Sequence, residues 1–195
     1  MARGRTLKHD ATTTVTLVAG GEARWVVKRY NIRGPWHALR RQFQSGRARN
    51  CWRAAEDLAA AGIDTPRPVA ALEERRFGLL RGRSYFISEL VEGETLDEAL
   101  SRAGKQAAAL MDRTADIVRR LRASGIVHGD LKATNIIVSH GRVYLVDLDA
   151  TRKSAGSGLC AGREQDLDRF LRNWQQDERL LAEFKRRLDR ARPEP

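Results

Sequence analysis

The chain has 195 residues, 42% of them hydrophobic, and a formal net charge of +11 at pH 7. That is apolar material for one domain or for two small lobes sharing a cleft, and no run approaches the ~18–20 apolar residues of a membrane-spanning helix. The basic start "MARGRTLKHD" is not a secretory signal, and Cys51 and Cys160 have neither metal-ligand spacing nor disulfide-scaffold density, so a reducing cytosol is the expected home.

Along the chain, "TTVTLV" (13–18) and "RWVVKRY" (24–30) are rich in β-branched and aromatic residues and flank "AGGE", which predicts a hairpin. A strand before them, somewhere in "RGRTL", is expected to be short or missing. "NIRGPWHALRRQF" holds a Gly-Pro break and a short helical run. "GRARNCWRAAEDLAAAG" spaces Ala48, Cys51, Ala55 and Leu58 as a helix face, with Gly62 as its stop. "IDTPRPVAALEE" and "GRSYFISELVEG" read as strands, the first pinned by Pro66 and Pro68. "TLDEALSRAG" and "KQAAALMDRTADIVRRLRASG" are helical, with Leu110, Ile117 and Leu121 on one face. After residue 152, "SAGSG" reads as a flexible loop. "REQDLDRFLRNW" and "DERLLAEFKRRLDRA" close the chain as helices, the latter packing through Leu181, Phe184 and Leu188, and "RPEP" frays. The order is an α+β layout in a single domain, 1–195, with a β-rich half up to about residue 90 and a helical half over about 91–190.

The chemistry concentrates in "VHGDLKATNIIVSHGRVYLVDLDATR", residues 127–152. "IIV" and "VYLV" form two strands joined at "SHGR". With the turn on His140-Gly141, facing residues sum to about 281, and Asn135 and Asp147 meet at the open end of the ladder. Directly opposed side chains lie roughly 5 Å apart, so an amide oxygen and a carboxylate there can share one Mg²⁺, which takes few protein ligands and completes its shell with phosphate and water. Asp130 faces the same site from the preceding loop, placed to accept a proton from an attacking hydroxyl and orient it. Lys132 adds a point charge toward a transferring phosphoryl group. The bland alternative is a half-buried hairpin with solvated polar ends.

"HGDLKATN" followed by "VDLD" resembles the catalytic loop and metal motif of the protein-kinase-like superfamily in its HGD-type branches. The resemblance implies a compact two-lobed protein-kinase-like fold, with a small β-rich N-lobe and a reduced helical C-lobe. It makes Asp130 the catalytic base, Lys132 a phosphate contact, and Asn135 and Asp147 the Mg²⁺ ligands. "WVVKRY" resembles the strand whose lysine, here Lys28, holds the α/β-phosphates of ATP. "YFISELVEG" resembles the segment whose backbone, from Glu89 to Val91, binds adenine. No G-x-G-x-x-G precedes Lys28, so "HDATTT" is expected to cover the phosphates through its amides and the hydroxyls of Thr12, Thr13 and Thr14. The helix glutamate that orients the lysine is missing as well: the matching position is Cys51, and the acids at hand are Glu56 and Asp57. Gly129 replaces the arginine that reads a phosphorylated loop, so phospho-regulation is not expected, and Asp149 stands where D-F-G has glycine.

From about residue 12 to 175 the chain is most similar to the lipopolysaccharide-core kinases. That resemblance implies ATP-dependent phosphorylation of a heptose or Kdo hydroxyl, an acidic glycolipid or sugar acceptor, and a cytoplasmic site with peripheral contact at the inner membrane. A basic surface suits such a polyanion. No nucleic acid partner is expected, although charge alone does not choose among anions or separate a selected partner from an arginine-biased genome. "RYNIRGPWHALRRQF", with arginines around Trp36 and Phe43, suits an acidic sugar or equally a solvated helix. Two alternatives stand beside this function: a small RIO-like protein kinase, and a kinase-like binding module without turnover.

Overall fold

The computed structural model describes residues 4–31, 46–76 and 80–189. The helical run expected after Asn31, with Trp36 and Phe43, and the "RPEP" tail lie outside the described residues. The chain divides into two compact units, residues 1–56 with 66–90, and residues 57–65 with 91–195.

The first unit is built on an antiparallel sheet of order β1-β2-β3-β5-β4, with β1 Gly4–His9, β2 Thr13–Gly20, β3 Ala23–Tyr30, β4 Pro68–Arg76 and β5 Leu80–Glu89. Gly20 pairs with Ala23 across a two-residue turn in which Gly21 has φ +62°. That left-handed geometry matches the strand twist and suits glycine. The first strand, expected to be short or missing, runs six residues and pairs with β2 through a bulge between Thr6 and Lys8. The unpaired backbone edge of β2 supplies the ladder on which it forms.

Helix α1, Arg47–Ala60, follows the spacing seen in the sequence: Ala48, Cys51, Ala55 and Leu58 are all at most 2% exposed. Cys51 lies 3.2 Å from the hydroxyl of the fully buried Tyr30, so a thiol fills the helix position where the resemblance implies a carboxylate. The chain leaves this helix at Gly62, whose φ of +67° closes it.

In the second unit, Thr95 and Glu98 form a reciprocal capping box at the start of α2, Leu96–Arg102. Helix α3, Ala107–Ala123, buries Leu110, Ile117 and Leu121. β7, Ile126–Val127, pairs with β10, Arg152–Lys153, while β6, Glu94–Thr95, and the hairpin of β8, Ile136–Ser139, and β9, Arg142–Leu145, make a three-stranded sheet.

Helix α4 runs Gly156–Arg172 and takes in most of the segment expected to be a loop. Its reason is tertiary: a Cβ at Gly162 would fall 2.7 Å from Val127, so the glycine lets α4 seat directly on β7, and packing overrides the weak helix propensity of "GSG". Helix α5, Glu178–Asp189, buries Phe184 and Leu188, and Phe184 packs at 4.9 Å and 5.0 Å from the rings of Phe170 and Trp174. Among the described residues no helix is long and apolar enough to cross a membrane.

Phe184 is fully buried at the centre of that cluster. Phe184→Ala is expected to cost about 3–5 kcal/mol, read by chemical denaturation of the purified protein. A loss under about 1 kcal/mol would mean the cluster does not hold α4 and α5 together.

Candidate active site

The hairpin keeps the expected register: Ile136 faces Leu145, Ile137 faces Tyr144 and Ser139 faces Arg142. Two residues, His140 at φ +47° and Gly141 at φ +75°, make the turn, which is the geometry that joins antiparallel strands by the shortest path. The pairing extends one step beyond the strands, where the Val146 amide donates to the Asn135 carbonyl at 3.0 Å. Asn135 is therefore opposed by Val146 and not, as expected, by Asp147, which follows one residue on. Asp147 is left-handed, with φ 63° and ψ 61°, and the chain turns out of the strand there into a short 3-10 turn. A positive φ in a non-glycine residue is uncommon and clusters at functional sites.

The loop 128–135 is tied down along its length by its neighbours. The Asp166 carboxylate on α4, in a buried residue, accepts the His128 amide at 2.6 Å and the Gly129 amide at 2.9 Å. The imidazole of His128 lies 3.2 Å from the Val146 carbonyl through Nε2 and takes the Asp130 amide at Nδ1, 3.4 Å away. With Nε2 protonated both contacts are satisfied. His128 is fully buried; burial pushes its pKa down against the raising pull of Asp166, which keeps the ring neutral and the tautomer fixed. Thr151 donates to the His128 carbonyl at 3.2 Å, and the Ala133 amide donates to the side chain of Asn173 at 3.3 Å.

Gly129 has φ +81°, and a Cβ there would fall 2.7 Å from the Ala150 side chain and 2.8 Å from its carbonyl. The turn and the close approach both demand glycine.

This frame brings Asp130, Lys132 and Asn135 together. Asp130 Oδ2 accepts from Lys132 Nζ at 2.9 Å and from Asn135 Nδ2 at 2.9 Å, and Asn135 Nδ2 also reaches the Asp130 carbonyl at 2.9 Å. Arg169 Nε stands 3.8 Å from the other oxygen, Oδ1. Burial raises the Asp130 pKa, but the hydrogen bonds from Lys132 and Asn135 and the charges of Lys132 and Arg169 outweigh it, so the carboxyl sits below its ordinary value. It is an anion at neutral pH with one oxygen saturated and the other open.

The amide of Asn135 is turned with its nitrogen on Asp130, which leaves Oδ1 on the opposite edge. That oxygen and the Asp147 carboxylate are hard ligands of the kind Mg²⁺ takes. Among the described residues no group of three His, Cys, Asp or Glu could hold a metal ion.

In the first unit, Lys28 lies mid-strand on β3, between Val15 and Phe86. In "HDATTT", the segment expected to cover the phosphates, the amides of Thr12 and Thr13 already have a partner. Asp10 Oδ1 already accepts the amides of Thr12 and Thr13, at 2.8 and 2.7 Å, and the Thr12 hydroxyl at 2.8 Å. Those bonds, the Thr12 amide first, lower the Asp10 pKa to about 2. Thr13 is buried opposite Tyr30 and the Thr14 hydroxyl meets His9 at 3.0 Å. The chain has filled its own amide cradle with a carboxylate.

The amides of Glu89 and Leu90 donate to the carbonyls of Arg67 and Arg24, both at 3.0 Å, and the Glu89 side chain pairs with Arg67. Neither α1 acid orients Lys28 through a contact seen here: Glu56 accepts Trp52 Nε1 at 2.7 Å, and Asp57 pairs with Lys153 at 2.6 Å.

A family model, the lipopolysaccharide kinase (Kdo/WaaP) family, matches residues 6–188. The chain belongs to that family. Its fold is protein-kinase-like: a solved structure of WaaP in complex with acyl carrier protein superposes with a TM-score of 0.72 at 18% identity, over 98% of this chain and 80% of that one. Curated relatives match over shorter stretches. A probable serine/threonine-protein kinase, YbdM of Bacillus subtilis, is 26% identical over 80 residues, 38% of this chain and 31% of that protein. Mitogen-activated protein kinase kinase 10 of Arabidopsis thaliana is 34% identical over 86 residues, 39% of this chain and 28% of its own length. The chain thus spans about a third or less of those two relatives.

In this member of the family His128, Asp166 and Arg169 hold the loop without standing out in the sequence motif. A signal for Asp166 was present: Gly162, Asp166 and Phe170 fall four apart on the buried stripe of α4, and an acid on an apolar stripe needs partners.

The depressed Asp130 pKa has a direct check. A carboxylate lowered in the folded state stabilises it above the unfolded value of about 3.9, and that contribution is lost as pH falls through the folded value. Lys132→Met removes the main lowering contact, so the folded pKa should rise toward the unfolded value, which shrinks the contribution and completes its loss at a higher pH. A ¹³C-carboxylate titration of Asp130 reads this, and an unmoved midpoint would contradict the geometry.

Proposed function

We propose that the protein transfers the γ-phosphoryl group of ATP to a sugar hydroxyl of the lipopolysaccharide inner core. The observation that carries this reading is the asymmetry of Asp130, with Oδ2 fixed by Lys132 and Asn135 and Oδ1 left to accept. Membership of a lipopolysaccharide kinase family supports the acceptor class.

In this reading the acceptor hydroxyl donates to Asp130 Oδ1, which aims its oxygen at the γ-phosphorus. The new P–O bond forms as the bond to the β–γ bridging oxygen breaks, ADP leaves, and the hydroxyl proton passes to Asp130 and then to solvent. Orientation and electrostatics supply most of the catalysis in such transfers. Lys132 places a positive charge beside the transferring group. Asn135 Oδ1 and Asp147 would hold Mg²⁺, which when bound neutralises charge on the β- and γ-phosphates. Lys28 is assigned the α/β-phosphates, and the Glu89 carbonyl with the Val91 amide the adenine edge. A phosphate covered by the segment that holds Thr13 would compete with Asp10 for the amides of Thr12 and Thr13.

The net charge of +11 suits a polyanionic acceptor at the inner face of the cell membrane, where each basic residue near an acidic surface contributes ~1 kcal/mol. A carrier-protein partner belongs to the same proposal, since the WaaP structure holds one.

Purified protein, [γ-³²P]ATP and Mg²⁺ are incubated with inner-core lipopolysaccharide or with basic protein substrates. Label is expected in lipopolysaccharide. Label in protein alone would favour the RIO-like reading, and nucleotide binding without turnover the binding module. Asp130→Ala should lower kcat by at least 10²-fold while sparing nucleotide binding. Asp147→Ala should abolish the Mg²⁺-dependent part of nucleotide-induced thermal stabilisation. Full turnover by Asp130→Ala would refute the base assignment.

A further inference from the structure

Arg169 is not required by any step above, yet it stands beside the acting carboxylate. It extends from α4, and its Nη1 donates to the Gly129 carbonyl and lies 3.8 Å from Asp166 Oδ1. Its Nε is 3.8 Å from Asp130 Oδ1. That separation is an ion pair and too long for a hydrogen bond. Oδ1 thus feels a positive charge without losing the lone pairs that would receive a hydroxyl. Nη2 makes no hydrogen bond among the described residues, and the side chains of Arg169 and Asp130 are 35% and 34% exposed, so solvent reaches both.

A guanidinium anchored through one nitrogen, with a planar donor edge left over, presents its remaining N–H groups in a fixed direction. Position 129 cannot supply a side chain of its own, because its φ of +81° and the approach of Ala150 hold it to glycine. The cation beside the base comes instead from α4. A hydroxyl held on Asp130 Oδ1 would sit within reach of the guanidinium, whose Nε is 3.8 Å from that oxygen.

We propose that Arg169 is an acceptor-binding residue, whose open guanidinium edge donates to an oxygen substituent on the carbon next to the hydroxyl held by Asp130. The ligand class is a polyhydroxylated or acidic sugar bearing a hydroxyl or carboxylate vicinal to the phosphorylated position. A lone alcohol would leave the donors unmet and bind poorly. This inference rests on the phosphotransferase reading and adds which residue selects the acceptor.

The test is steady-state kinetics of wild type, Arg169→Gln and Arg169→Lys, with inner-core lipopolysaccharide and ATP varied separately and thermal unfolding recorded for each protein. Arg169→Gln is expected to raise the lipopolysaccharide KM about tenfold or more, the size of one lost charged hydrogen bond, with the ATP KM within about twofold. Arg169→Lys, which keeps the charge and loses the planar edge, should fall between. A purely structural brace would lower kcat and the unfolding temperature while leaving both KM values together, and that pattern overturns the inference. So does failure of both variants to fold. A wild-type protein that phosphorylates no lipopolysaccharide overturns the acceptor class and this inference with it, whereas an active wild type with an unshifted acceptor KM in Arg169→Gln overturns the inference alone.

Discussion

A buried carboxylate organises the second unit. Asp166 takes two successive backbone amides, those of His128 and Gly129, at 2.6 and 2.9 Å. A buried charge is costly unless hydrogen bonds satisfy it, and a buried amide is costly without an acceptor. Each therefore needs the other, and the pairing fixes where the loop leaves β7. The positive φ of Gly129, the tautomer of His128 and the direction of Asp130 all follow from that point.

His128 carries the constraint across to the hairpin. Its ring sits between the Asp130 amide and the Val146 carbonyl, so the loop and the last residue of the ladder move as one. Asn135 then links the two ends, because its side chain reaches back to Asp130 while its carbonyl pairs with Val146. The polar side chains that would act on phosphate are held by backbone groups, not by one another alone. Such preorganisation is what electrostatic catalysis requires, since groups that must reorient at the moment of reaction lose most of their effect.

The hairpin and its register were legible in the sequence because a two-residue turn leaves one pairing available, and alternation then assigns every partner. Helix α1 was legible from the spacing of Ala48, Cys51, Ala55 and Leu58. What could not be read there depends on contacts distant along the chain. Asp10 filling the cradle at Thr12 and Thr13 is a local bond, yet a carboxylate and a bound phosphate satisfy the same amides, and sequence does not tell which is present. Arg169 and Asp166 lie nearly forty residues from the loop that they hold. The helical start of α4 at "GSG" required knowing that Gly162 would meet Val127.

Amide hydrogen exchange of His128 and Gly129 probes the central constraint most directly. If Asp166 fixes the loop, both amides exchange only at the free energy of global unfolding of the second unit, and Asp166→Asn releases them into fast local exchange while α3 stays protected. Rapid exchange of these two amides in the wild-type protein, at the rate of an exposed turn, would mean the loop is held by something else.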